Sequence, residues 1–350
     1  MKNLNLGFVV FLLFVSLKSR SQSSSDIFKS VSVEIVLKNR INIRAITLSE
    51  NNCAIWYCGS DKKIGFITNL ARIETQLADL PYNFDFRSIA QTKDNIFALS
   101  TGNPAVLFKY SKDLTTRRQV YEEHADKVFY DSMNFWNDQE GIAVGDPIEN
   151  CFCIIITRDG GETWNKIPCE KLPKTVDGEA AFAASNSNIC IKGDKTWIVS
   201  GGKKSRVFYS PDKGITWKVF ETPIVQGKEM TGIFTADFYN EKIGVIAGGD
   251  FQAPDQNFQN KAITFDGGKT WKLIAENSGF GYASCIQFVP KSNGKQLVAI
   301  GLNGLYYSAD SGNTWSQLLE DQSLYTIRFL DEKNAVAAGK YKMVRIEFKK

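Results

Sequence analysis

Hydrophobic residues along this chain come in short bursts rather than long stripes. Cys153-Ile154-Ile155-Ile156, Arg206-Val207-Phe208-Tyr209, Gly244-Val245-Ile246-Ala247 and Ala335-Val336-Ala337-Ala338 are examples, each followed closely by serine, aspartate or glycine. Apolar runs of this length closed by turn formers predict β-strands. Two markers punctuate the runs out of phase with one another. The first is Ser/Thr-x-Asp-x-Gly-x-Thr-Trp, present at Thr157–Trp164, Ser210–Trp217, Thr264–Trp271 and Ser308–Trp315, with a decayed copy at Ser111-Lys112-Asp113-Leu114-Thr115 and a remnant at Thr68-Asn69. The second is a glycine that closes an apolar strand, at Gly59, Gly102, Gly145, Gly201, Gly248, Gly301 and Gly339.

The first marker has the chemistry of a hairpin turn. Its aspartate can accept hydrogen bonds from backbone N–H groups further along, its glycine can take a positive φ, and its tryptophan anchors the exit strand by apolar packing. Asp159, Asp212, Asp266 and Asp310 therefore read as structural, together with Trp164, Trp217, Trp271 and Trp315. The spacing lacks the alternating carboxylates of a calcium loop, so no metal is assigned to them.

A further strand precedes each glycine-closed one and often ends in an aromatic, as at Phe135, Phe238, Phe288 and Phe329. Three strands plus the strand leaving the Asp turn make a four-stranded antiparallel unit, and repetition of such units predicts a β-propeller. Seven glycine markers predict seven blades. The last unit stops at Met343–Phe348 without an outer strand, while Val31–Leu37 is a strand with no unit of its own. Pairing between these two segments would close the ring and hide an open sheet edge.

The first residues add a separate element. Lys2 precedes an apolar run from Leu6 to Leu17, and Ser19 and Ser21 supply small residues before Gln22. The run is shorter than the roughly 20 residues a spanning helix needs, which fits a cleaved signal peptide. The proximity of Lys18 and Arg20 to the cut leaves a retained anchor as the competing reading. The expected organisation is a signal peptide at 1–21, a short linker at 22–30 and one propeller domain at 31–350, exported to a periplasm or the medium. No transmembrane segment is expected after cleavage.

With the four Asp turns in view, the chain resembles the Asp-box (BNR) repeat propellers. The segments Gly141-Ile142-Ala143-Val144-Gly145-Asp146-Pro147 and Gly178-Glu179-Ala180-Ala181-Phe182-Ala183-Ala184-Ser185 are similar to parts of exported, non-catalytic propellers related to photosystem II stability and assembly factors. The resemblance to sialidases is more distant. It implies a binding or assembly role, with glycoside hydrolysis as the alternative.

Composition narrows the chemistry. Removing Lys2, Lys18 and Arg20 takes the formal net charge from +4 to +1, so no nucleic-acid partner is expected. His124 is the only histidine, which excludes histidine-based triads and multi-histidine zinc sites. No phosphate-binding or dinucleotide-binding glycine motif is present, and no cofactor is expected. Seven cysteines are too few and too odd in number for a disulfide framework, and most read as buried small hydrophobes. The sialidase alternative would use arginines for a substrate carboxylate. Yet the Arg-Ile-Pro signature of that family is replaced by Arg44-Ala45-Ile46 and Arg87-Ser88-Ile89.

In propellers of this resemblance one face carries the loops entering the inner strands, opposite the Asp boxes. Here that face is expected to gather Arg44, Arg87, Asp131, Asp146, Glu179 and Asp250, with Asp61, Lys203, Lys204 and Asn303 on neighbouring loops, as a site for a protein or a polar or carbohydrate ligand. Two loops in this region are long, Gly145–Cys151 and Gly249–Lys261, and long loops on a rigid scaffold are favoured places for recognition.

Overall fold

The computed structural model describes residues 27–68, 72–76 and 83–350. The expected signal segment 1–21, residues 22–26 of the expected linker, and Asn69 of the remnant repeat lie outside the described residues. The described chain is almost entirely antiparallel sheet, with one short 3-10 turn at Cys169–Lys171. No helix among the described residues is long and apolar enough to cross a membrane.

Antiparallel four-stranded sheets recur in chain order. Phe86–Gln91, Asn95–Ser100, Ala105–Ser111 and Arg117–Glu123 form one, and Cys285–Phe288, Leu297–Gly301, Gly304–Ser308 and Ser316–Leu319 another. Among the described residues the sheets number six rather than the seven expected. The reason is continuity at the ends of the chain. Ser30–Leu48 and Asn334–Lys349 are long strands without an interrupting turn, so the first and last repeats fuse into a single six-stranded sheet. The pairing expected between the termini is present, running from Val31 opposite Phe348 to Leu37 opposite Met343, after which Ile43–Leu48 pairs with the following strand. Each terminal segment thus covers an edge that the other would leave open.

The core lies between neighbouring sheets, as the strand alternation requires. Trp197 shows how it is pinned. It is fully buried, stacks on Phe238 at 3.9 Å, and donates from Nε1 to the Gly267 carbonyl at 2.8 Å, tying its sheet to the next Asp turn.

The Asp turns have the geometry that their residues dictate. In each intact copy the hydroxyl of the first residue donates to the Asp carboxylate at 2.8–2.9 Å and accepts the glycine N–H at 2.7–3.0 Å. The same carboxylate accepts the threonine N–H and hydroxyl, as in Asp159 with Thr163 at 3.0 and 2.6 Å. Asp113 repeats the pattern with Ser111 and Thr115 in the decayed copy. Hydrogen bonds to the charged carboxylates hold the pKa values of Asp159, Asp212, Asp266 and Asp310 below the usual range against a desolvation that opposes them.

The tryptophans differ in burial. Trp164 is buried, whereas Trp217, Trp271 and Trp315 are half-buried and donate to the carbonyl of their own box glycine. Trp164→Ala should therefore cost about 3–5 kcal/mol, and the other three changes roughly 1–3 kcal/mol. Asp159→Ala, which removes turn hydrogen bonds, should cost about 0.5–2 kcal/mol. Denaturant melts of the series check the order.

Candidate binding site at the channel mouth

The residues at the mouth of the axial channel are placed by a backbone irregularity that recurs from repeat to repeat. Where the inner strand begins, its register against the next strand slips by one residue, between Ile43 and Ala45, Phe86 and Ser88, Ile233 and Thr235, and Leu324 and Thr326. The extra residues are Arg44, Arg87, Phe234 and Tyr325. A matching slip between Tyr130 and Ser132 leaves Asp131 as the extra residue. A bulge of this kind re-aims a side chain out of the sheet pattern. Here it supplies the mouth with one group from each of several sheets.

Beside the bulges of Arg44, Asp131, Phe234 and Tyr325 the closing glycine lies against backbone, whereas Gly102, in the sheet of Arg87, has no atom within 4 Å of where a Cβ would stand. A Cβ on Gly59 would lie 2.2 Å from the Asn42 carbonyl oxygen, and one on Gly339 would lie 1.8 Å from that of Ser323. Backbones this close exclude any side chain.

Arg44 lies over the Tyr325 ring at 4.3 Å and donates from Nη1 to the Ala184 carbonyl at 3.5 Å. Burial and the nearby charge of Arg87 both lower its pKa. Arg87 is ion-paired through Nε to Asp85 at 2.8 Å and faces Phe129. The Arg44 guanidinium thus feels the charges of both Arg87 and Asp85, the latter two being paired with each other. Beside them Phe182 stacks on Phe234 at 3.9 Å, and Phe234 meets Tyr282 edge-on. The exposed Phe251 continues this aromatic wall against Tyr282.

The channel is plugged below the mouth by the segment from Ala181 to Asn188, which crosses from its own sheet to the others. Asn186 accepts the Met133 N–H and donates to the Ile89 carbonyl, while Ser185 Oγ donates to the Ser284 carbonyl. Arg328 donates to the Ser185 and Asn186 carbonyls at 3.1 and 3.2 Å. The arginines therefore sit over a closed floor.

The remaining residues expected at the site have other surroundings. Glu179 is buried and bound by Arg206 Nε and Nη2, the Ser200 hydroxyl and the Val176 N–H. Asp250 is buried, accepts the Gln252 N–H at 2.9 Å and meets Lys228 at 3.3 Å. Both hold loops. Asp146 accepts the Ala181 N–H at 2.9 Å and lines a side cavity of ≈ 580 Å³ rather than the mouth. Among the neighbouring loop residues, Lys203 donates to the Gly227 carbonyl and Lys204 pairs with Glu221. Asn303 donates to Asp255, and Asp61 accepts from Ser60.

Asp131 is fully buried, and neither carboxylate oxygen has a hydrogen-bond partner by distance and angle. Burial pushes its pKa well up, the Asp146 charge pushes it further, and Arg87 and the Ala183 amide pull the other way. Burial also raises Asp146 to about 6.

Tyr325, Phe234 and Tyr282 were not among the expected site residues. For Tyr325 and Phe234 the signal lay in the alignment of repeats, since both occupy the position of Arg44 in their own units. Cys151 and Cys169 form a disulfide, a pairing that the sequence left open. The short turn at Cys169 brings the two strand-flanking segments together, which spacing alone did not indicate. Cys58, Cys153, Cys190 and Cys285 are buried and free as expected, and Cys53 is exposed. No group of three or more metal-ligating side chains occurs among the described residues.

With this geometry in place, comparison with known proteins gives the following. A BNR/Asp-box repeat model matches residues 262–273, the third intact box. Comparison of the sequence with curated proteins gives no match. Among solved structures, the chain is similar to YCF48 bound to D1 peptide, with TM-score 0.65, 13% identity and coverage of 93% of this chain and 98% of that one. YCF48 from Cyanidioschyzon merolae is similar at TM-score 0.62 and 12% identity, over 91% of this chain and 99% of that one. The GH74 xyloglucanase from Xanthomonas campestris is similar at TM-score 0.63 and 13% identity, over 89% of this chain and 53% of that one. At such identities the likeness establishes the β-propeller fold and nothing finer.

The buried acids yield a stability prediction. A carboxyl whose folded pKa is raised keeps its proton while the unfolded chain loses it. Its stabilising effect is therefore complete below the unfolded pKa of about 3.9 and is lost as pH rises through the folded value. For Asp146 the window runs from about 3.9 up to about 6. Asp146→Asn and Asp131→Asn should therefore raise stability at neutral pH, by roughly 1–3 kcal/mol for Asp146, and lose that advantage near pH 4. Thermal melts across this range test the sign.

Proposed function

We propose that this chain is an exported, non-catalytic propeller that holds a protein segment through a carboxylate at the channel mouth. The observation that carries the reading is the meeting of Arg44 and Arg87 with Asp85 as the paired counter-charge, beside an aromatic wall. Guanidinium groups donate to carboxylates in paired, planar geometry. Aromatic faces next to them suit apolar side chains of the same peptide. The similarity to a propeller that is itself seen bound to a peptide is in keeping with this choice.

Export is part of the proposal. It draws on the signal-like first residues and on the Cys151–Cys169 disulfide, since such bonds persist in oxidising compartments. Sequencing of the mature N-terminus should find Gln22, with the protein in the periplasm or medium. A cytoplasmic chain that begins at Met1 would count against export.

Glycoside hydrolysis has less support. It takes two carboxyl groups flanking a sugar bond, or in the sialidase type a Tyr nucleophile backed by a Glu. Here Asp85 is tied to Arg87, Asp131 is sealed, and Glu179 is held by Arg206.

The binding test uses a library of short N-acetylated peptides with free C-terminal carboxylates. Arg44→Ala and Arg87→Ala should each weaken the best binder by about 1–3 kcal/mol, the range of charged hydrogen bonds, and amidation of the peptide terminus should do the same. Lys269→Ala, on the opposite Asp-box face, should leave affinity unchanged. Sensitivity at Lys269 with silence at both arginines would move the interface to that face. Turnover of a sialoside that vanishes in Arg44→Ala would replace the binding reading with the enzymatic one.

A further inference from the structure

Asp131 is buried and Asp146 beside it is half-buried and lines the side cavity. Asp131 belongs to the same bulge series as Arg44 and Arg87, and its strand is tied to that of Asp146 where the Asp146 N–H donates to the Phe129 carbonyl at 2.8 Å. The charges of Asp146 and Arg87 act on Asp131 in opposite directions. Through Asp146 the pair has a polar outlet to solvent at the cavity, and Asp146 also holds the plug through the Ala181 N–H.

We propose that ligand binding at the mouth is coupled to protonation of the Asp131–Asp146 pair, with the side cavity as the route by which the proton enters. The proposal rests on the reading that the mouth takes a carboxylate. A carboxylate seated on Arg87 brings a negative charge towards the pair and offsets the positive charge that favours ionised Asp131. Both changes make protonation easier, so binding takes up a proton from solvent. Linkage then requires affinity to fall as pH rises.

The other charged groups around the pair are these. Asp85 is paired with Arg87, and the plug from Ala181 to Asn188 carries no titratable side chain. Lys127, Glu149, Asp177, Glu179 and Glu229 line the side cavity, of which Glu179 is bound to Arg206. The only histidine, His124, is exposed and paired with Glu122.

The experiment is calorimetric titration of the full chain with the tightest library peptide that lacks His, Asp and Glu side chains. Its terminal carboxylate, with a pKa of about 3.5, is ionised throughout the range used. Binding should weaken by roughly three- to tenfold between about pH 5 and about pH 8. At an intermediate pH, titrations in buffers of different ionisation enthalpy should show net proton uptake by the wild-type protein, a measurement that needs no variant. Asp146→Asn should flatten the pH profile, and Glu229→Gln should leave it intact. Binding that is independent of pH and takes up no proton overturns this inference and leaves the carboxylate reading standing. An Asp146→Asn protein as pH-dependent as wild type also overturns it. Failure of every library peptide to bind at any pH removes the carboxylate reading and the coupling with it.

Discussion

The structure depends on how closely two backbones approach where each inner strand begins. At Gly59, Gly145, Gly248, Gly301 and Gly339 an added Cβ would come within 2.3 Å of the carbonyl oxygen of a residue entering the inner strand. Glycine allows that approach, and the register slips beside four of these five, all but Gly301. The displaced residue leaves the ordinary in-and-out alternation of a strand and turns to the axis. The same backbone event therefore shapes the sheets and furnishes the mouth.

From this constraint follows a division of labour among charged groups that look alike in the sequence. Arg44 and Arg87 occupy bulge positions and meet each other, so the energetic cost of bringing two positive charges together is offset when an anion arrives. Arg206 and Glu179 sit outside the bulge series and satisfy each other inside the fold. Asp131 occupies a bulge position too, but is sealed rather than exposed, and becomes an acid whose charge is expensive. Bulge position and burial together separate these groups: Arg44 and Arg87 keep part of their surface, whereas Asp131, at the same kind of position, has none.

The plug adds a second layer. Its Ser185 and Asn186 side chains find partners on several sheets. It also touches both groups of charges, Arg44 through the Ala184 carbonyl and Asp146 through the Ala181 N–H.

The sequence by itself determined the repeating antiparallel unit, the chemistry of the Asp turns and the pairing of the two termini. All three rest on local or strictly periodic rules: an aspartate that accepts nearby N–H groups, a glycine where no Cβ fits, and a strand left without a partner. It also placed Arg44 and Arg87 at inner-strand starts. Only the tertiary structure decided that the terminal repeats merge into one sheet, because strand continuity depends on the absence of a turn that pattern alone leaves open. It alone decided that Cys151 meets Cys169, that Glu179 is consumed by Arg206, and that Asp131 is fully buried. Those outcomes depend on which side chains converge across sheets, and such convergence is set by three-dimensional closure of the ring, to which spacing along the chain is blind.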